Sequence, residues 1–269
     1  MSIIFIMELK DIIMLKHLIT CLTVLIIITG CKKNKQEEAV LRIVTSADQA
    51  PFEFFNSKTH SIEGFDIDLA KEIAKRLDME AVVVDVDFGG ILPSLQSGQA
   101  DMAIAGITRT PAREQTIDFT NDYYQPKIAL LSLAQHPIKL LSQLEGHKLG
   151  AQLGTFHQML LEEISTQSHE KFEVIARNRL LDLVQELLSD NIQAVVMDYI
   201  PATKFEAANV GKFVVAEFTH PSVKAYAIAL PKGSALKEKI NAVLKQLIDE
   251  GFIKQLEQKW LSIESEQSK

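Results

Sequence analysis

Between residues 41 and 261 the apolar pattern switches between a period of two and a period of 3.6, and it does so in two successive rounds. Few folds accept such a pattern. Residues 41–45 alternate as a strand. Residues 65–77 set Phe65, Ile67, Leu69, Ile73 and Leu77 at helical spacing, with Asp66 near the start as a capping residue. A β-branched strand at 81–86 follows, then a short helix at 91–96 that stops at Gly98. The strand at 101–105 is almost wholly apolar, as a sheet covered on both faces requires. The second round runs as strand 148–152, helix 156–164, strand 172–176, helix 180–188, strand 194–197 and helix 201–208. One more apolar strand at 225–230, a turn at 231–234, a helix at 235–247 and a last helix at 252–261 complete it. Such alternation predicts an α/β protein of two units, each a mixed, mostly parallel sheet flanked by helices.

About 240 residues suffice for two lobes held by apolar burial alone. They have to, because both cysteines, Cys21 and Cys31, precede the body, which leaves it no internal disulfide and no cysteine-based metal or nucleophilic site. Asp and Glu number 35 against 28 Lys and Arg, and this net charge of -7 opposes a nucleic-acid partner, whose phosphates are bound through cations. The seven histidines lack metal-binding spacing, and neither a Gly-x-Ser-x-Gly nor a phosphate-loop pattern occurs. No catalytic residue, metal or cofactor is expected.

The amino terminus reads as an export signal. From Met14, read as the start in place of Met1 because Glu8 and Asp11 suit a signal poorly, a basic pair leads into the apolar run 18–28, too short to span a membrane, and then Thr29-Gly30-Cys31. The segment resembles the lipobox of bacterial lipoproteins. That resemblance implies cleavage after residue 30, lipidation of Cys31 and anchoring to a membrane outside the cytoplasm, in the periplasm or at the outer cell surface. Residues 31–39, charged and aperiodic, form a tether.

Several spaced motifs occur in one order: Ala50-Pro51-Phe52-Glu53-Phe54, Gly64-Phe65-Asp66-Ile67-Asp68-Leu69, Asp87-Phe88-Gly89-Gly90, Ala105-Gly106-Ile107-Thr108 with Arg113, and Ile117-Asp118-Phe119-Thr120. Together they resemble the polar amino-acid group of bacterial solute-binding proteins that serve ABC importers. The resemblance implies a two-lobed binding-protein fold of the second type, with lobe 1 at 40–127 and 226–269 and lobe 2 at 128–225. Two crossings near 127–133 and 222–230 would join them, and the lobes would close on one free amino acid. Partners would be that amino acid and the importer's membrane subunits, with the chain acting as a monomer.

A free amino acid is a zwitterion, so its site needs a cation for the carboxylate and an anion for the ammonium. Arg113, whose guanidinium forks onto carboxylates, matches the family's carboxylate clamp. Ala105, Gly106 and Thr108 match its binding positions. Asp198 follows the 194–197 strand and is the expected ammonium partner, its alternative being a helix N-cap. Thr155 and Phe156 open a helix whose amide dipoles favour an anion. The ligand side chain is expected to meet Ser46, Gln49, Phe52 and Phe88 of lobe 1 and Gln152 and His157 of lobe 2. Gln49 stands where many relatives carry an aromatic ring, and Ser46 replaces an acid found in several binders of basic side chains. These departures put a glutamine-like ligand first and arginine or another basic amino acid second. The rival is a dehydratase of prephenate-like acids on the same fold, with Glu53 or Glu173 as the acid. A sensing ectodomain would need a membrane helix, which the polar tail does not offer.

Overall fold

The computed structural model describes residues 39–167 and 171–262. The signal segment, Cys31, nearly all of the tether and the tail from residue 263 lie outside the described residues. In chain order the first strands are β1 (Ala39–Thr45), β2 (Asp48–Gln49), β3 (Glu53–Asn56), β4 (Ser61–Glu63), β5 (Met79–Asp85), β6 (Met102–Ala103) and β7 (Ile117–Tyr124). They are followed by β8 (Ile128–Leu133), β9 (Lys148–Gln152), β10 (Glu173–Arg177), β11 (Ala194–Asp198), β12 (Phe213–Phe218) and β13 (Tyr226–Pro231).

Two five-stranded sheets share one plan. The first runs β5-β1-β6-β13-β7 and the second β10-β9-β11-β8-β12. In each, three strands are parallel, and the fourth, β13 or β8, is antiparallel to both of its neighbours. The strand–helix alternation produces the parallel triplets, because each pair needs a helical crossover. The antiparallel strands arise differently: the chain leaves the first sheet after β7, passes through residues 125–127 and enters the second as β8. It returns through residues 219–225 to join the first sheet as β13. These crossings are shorter than the 127–133 and 222–230 expected, because β8 and β13 are apolar on both faces and are buried from end to end but for the last residue.

Each sheet is covered on both sides, and alternate residues serve the two covers. On β13, Tyr226, Ile228 and Leu230 pack with Phe65, Leu69 and Ile73 of helix Phe65–Arg76 and Leu244 of helix Lys237–Asp249. Ala227 and Ala229 face the other way, toward Ile91 and Leu95 of helix Phe88–Gln96. In the second sheet Val195 and Met197 pack with Leu180, Leu183, Val184 and Leu187, the i, i+3, i+4, i+7 stripe of helix Leu180–Leu188. Leu149, Ala151 and Val196 meet Leu161 of helix Phe156–Gln167 on the opposite face.

Sequence periodicity leaves β7, β8, β12 and the small sheet β2-β3-β4 unassigned. β7 interrupts its alternation with Asn121 and Asp122, both exposed, and the small strands are too short to carry a period. Helix Phe88–Gln96 begins three residues earlier than its apolar run. The last predicted helix is Phe252–Leu256 continued by a wider π turn at Glu257–Leu261.

One local assignment is corrected. Asp66 does not cap its helix: the cap position is Gly64, and no side chain bonds there. Asp66 is instead fully buried and turned into the first half of the molecule. Gly64 is required for the approach, since its φ is +134° and a Cβ would lie 2.1 Å from Phe52 O.

Candidate ligand-binding cleft

Strand ends of both sheets converge on a narrow, nearly closed cavity. Gln49, Phe88, Gly106 and Thr108 line it from the first half, and Thr155, Phe156, His157 and Asp198 from the second. Pro126 and Val223 of the crossings, with Ile128 and Tyr226 beside them, complete the wall.

Arg113 stands behind this lining rather than in it. It lies in the four-residue helix Pro111–Glu114, which Thr110 caps by accepting from Arg113 N (3.3 Å). Its Nη1 donates to Thr108 O (2.6 Å) and Thr108 Oγ1 (3.3 Å), and its Nη2 to Gly154 O of the second half (2.8 Å). The guanidinium carbon is 5.7 Å from the centre of the Phe88 ring, a cation–π contact. Burial lowers its pKa to about 10, which leaves it charged at neutral pH. The side chain is buried, and among the described residues it has no carboxylate partner.

Asp198 ends β11 on the other side. It occupies the cap position of helix Tyr199–Ala208 yet makes no capping bond with its side chain. Its Oδ2 accepts from Gln49 Nε2 across the cleft. Its Oδ1 makes no hydrogen bond among the described residues and lies 3.5 Å from His157 Nε2. Buried charges are ordinarily paired. Here an unpaired guanidinium and a half-satisfied carboxylate flank one cavity.

Gly106 follows β6 with φ +54°, and a Cβ there would come within 3.0 Å of the Tyr226 ring. Its N–H donates to Asp66 Oδ2 (2.9 Å), and Tyr123 Oη donates to the same carboxyl (2.8 Å). Burial pushes Asp66 up to about 7, against the pull of these donors. Glu53, buried beside it, is raised well above the carboxylate range, by burial first and by Asp66 second. Burial, then the charge of Asp198, raises the Tyr226 hydroxyl as well.

Thr155 accepts from Gln158 N (3.3 Å) and so caps helix Phe156–Gln167, while its hydroxyl donates to Gln152 O (2.6 Å). Besides Arg113, four predicted residues are not in the wall. Phe52 is a core ring, edge-on to Phe65, Tyr124 and Tyr226 at 5.2–5.8 Å. Ala105 packs in the first sheet's core. Ser46 is buried at the end of β1, 3.4 Å from Asp48 Oδ1. Gln152 Nε2 is taken by Asp48 Oδ2 and Asn178 O, both at 3.0 Å. Neither acid nominated for a dehydratase lines the cavity: Glu53 is buried in the first half, and Glu173 is exposed on β10 near Lys148. Tyr226, Asp66 and the crossing residues are what sequence reasoning missed. Tyr226 reads as an ordinary apolar strand residue, and no local pattern signals that it faces Asp198.

Comparison with known proteins agrees with this architecture. The model for bacterial extracellular solute-binding proteins, family 3, matches residues 41–263. The arginine-binding extracellular protein ArtP of Bacillus subtilis (strain 168) is 34% identical over 248 residues, 90% of this chain and 94% of that protein. An ancestral arginine-binding protein, solved bound to arginine, superposes with a TM-score of 0.77 at 33% identity, covering 83% of this chain and 99% of the other. A structure described as an ancestral arginine-binding protein bound to glutamine gives 0.76 at 34%, with coverage of 82% and 97%. These are two-lobed amino-acid-binding proteins, and this chain belongs with them to family 3 of the bacterial extracellular solute-binding proteins.

Proposed function

We propose that this protein captures one free amino acid between Arg113 and Asp198 and presents it to an ABC importer. The observation that carries the reading is the pair of opposite, incompletely partnered buried charges flanking the cavity. Arg113, with Thr108 and the amide end of the helix at Thr155, would hold the carboxylate. Asp198 would hold the ammonium. Residues 40–127 with 226–269 would form lobe 1 and residues 128–225 lobe 2, turning about 125–127 and 219–225. Because the two charges belong to different lobes, only closure satisfies both ends of the zwitterion, and the ligand shifts the population toward it.

Arginine is the first candidate and glutamine the second, the reverse of the order that Gln49 and Ser46 suggest by themselves. The relatives named for arginine support this order. The protein works outside the cytoplasm as a monomer, and lipidation at Cys31 would tether it. Calorimetric titration with each of the twenty amino acids tests the reading. Binding of arginine with one site per chain is expected. No heat with any of the twenty amino acids overturns it.

A further inference from the structure

A second set of contacts joins the two halves outside the cavity wall. Asp48 Oδ2 accepts from Leu180 N (2.9 Å), the first amide of helix Leu180–Leu188, and from Gln152 Nε2 (3.0 Å). The residue at that helix's own cap position, Arg179, supplies no capping bond. Its guanidinium reaches back to the first half, to Asp85 (3.0 and 3.1 Å) and Asp87 (2.7 Å). A helix of the second half therefore has its N-terminus capped by a carboxylate 132 residues earlier, on a strand of the small sheet.

Helix caps are normally local, and a carboxylate at this end is favoured by the helix dipole. Asp48 is largely buried, which raises its pKa, while Leu180 N–H, Arg179 and Gln152 oppose that rise. These three belong to the second half, whereas the weaker opposing bond from Ser46 comes from the first. If the halves part, Asp48 loses both bonds, the helix loses its cap and Arg179 loses its acids. The contacts thus exist only in this apposition, and none of the residues that make them lines the cavity.

We propose that Asp48 is a positioning residue that holds the halves together through Leu180 N and Gln152, and so slows ligand release without touching the ligand. The proposal rests on the reading that an amino acid occupies the cavity between the lobes. It also gives Gln152 a role in closure rather than in side-chain recognition.

Stopped-flow kinetics with arginine and glutamine on the wild type, Asp48→Ala, Asp48→Asn and Arg179→Gln provide the test, each variant first being checked for cooperative unfolding. Losing one partner of a buried charged hydrogen bond acts mainly on dissociation. Asp48→Ala is expected to release ligand about 10–100-fold faster, with association within about threefold and the ranking of amino acids unchanged. Asp48→Asn, which keeps one acceptor, should fall in between. Because Arg179, Asp85 and Asp87 are partly exposed, salt should speed release from the wild type more than from Arg179→Gln. An unchanged release rate in Asp48→Ala overturns the proposal, and so does an altered ranking, which would mean direct contact with the ligand. Small-angle scattering of the ligand-free chain separates this from failure of the binding reading. A larger radius in Asp48→Ala supports the clasp even if no amino acid binds, and an equal radius refutes it.

Discussion

Replacing Asp66 by Asn probes the buried acid that holds the Gly106 amide at the cleft. Its carboxyl is fully buried, accepts from Gly106 N and Tyr123 Oη, and is raised from the ordinary 3.8 to about 7, burial being the largest cause. The charge of Asp198 adds to the rise, while a hydrogen bond from Glu53 opposes it. Between pH 4 and 7 the folded chain keeps a proton here that the unfolded chain has lost. Stability therefore falls as pH climbs through that interval and levels off above it. A rise from 3.8 to about 7 corresponds to about 4 kcal/mol in full, of which about 3 kcal/mol falls between pH 5 and 8. Asn is isosteric, keeps an acceptor for Gly106 and does not titrate. Asp101 and Asp118, held below the usual carboxylate range by Arg42 and by Gly233 N–H respectively, give slopes of the opposite sign at lower pH. The difference between variant and wild type cancels them. Urea unfolding at pH 5, 6, 7 and 8 should give Asp66→Asn a stability relative to wild type that grows by about 3 kcal/mol across the series. Parallel curves would refute the reasoning.

Three further outcomes are expected. Arg113→Ala and Asp198→Ala should each cost about 2–5 kcal/mol of binding, roughly 30- to several thousand-fold in Kd, by calorimetry, while Lys232→Ala on its surface turn stays near wild type. Near-native affinity in both cleft variants would remove the site. Gly64→Ala should destabilise by about 2–3 kcal/mol or more in thermal unfolding, because the new Cβ meets Phe52 O in a backbone region that L residues avoid. Leu183→Ala should cost about 2–5 kcal/mol through a cavity under β11, whereas Leu181→Ala, on the exposed side of the same helix, should stay within about 0.5 kcal/mol.

Local spacing carries some features of this molecule and not others. The stripe Leu180, Leu183, Val184, Leu187 is legible because a helix repeats every 3.6 residues whatever surrounds it. The apolar 225–230 run is legible for the same kind of reason, although nothing local says that its direction in the sheet is opposite to β6. Asp66 was misread because a helix-start acid has the same local pattern whether it caps the helix or turns inward. Phe52 and Gln152 carry residue types suited to a ligand wall, yet one packs among rings and the other reaches Asp48.

The order of apolar periods, the motifs and the charge balance determined an α/β protein of two repeated units with Arg113 and Asp198 as the residues to watch. Only tertiary structure decided which acid lines the cavity and which are sealed beneath it, that Arg113 stands behind Thr108, and that Asp48 caps a helix 132 residues away. The physical reason is range: periodicity and propensity act over a few residues. Burial, ion pairing and cross-strand register depend on where the chain returns after leaving one sheet for the other.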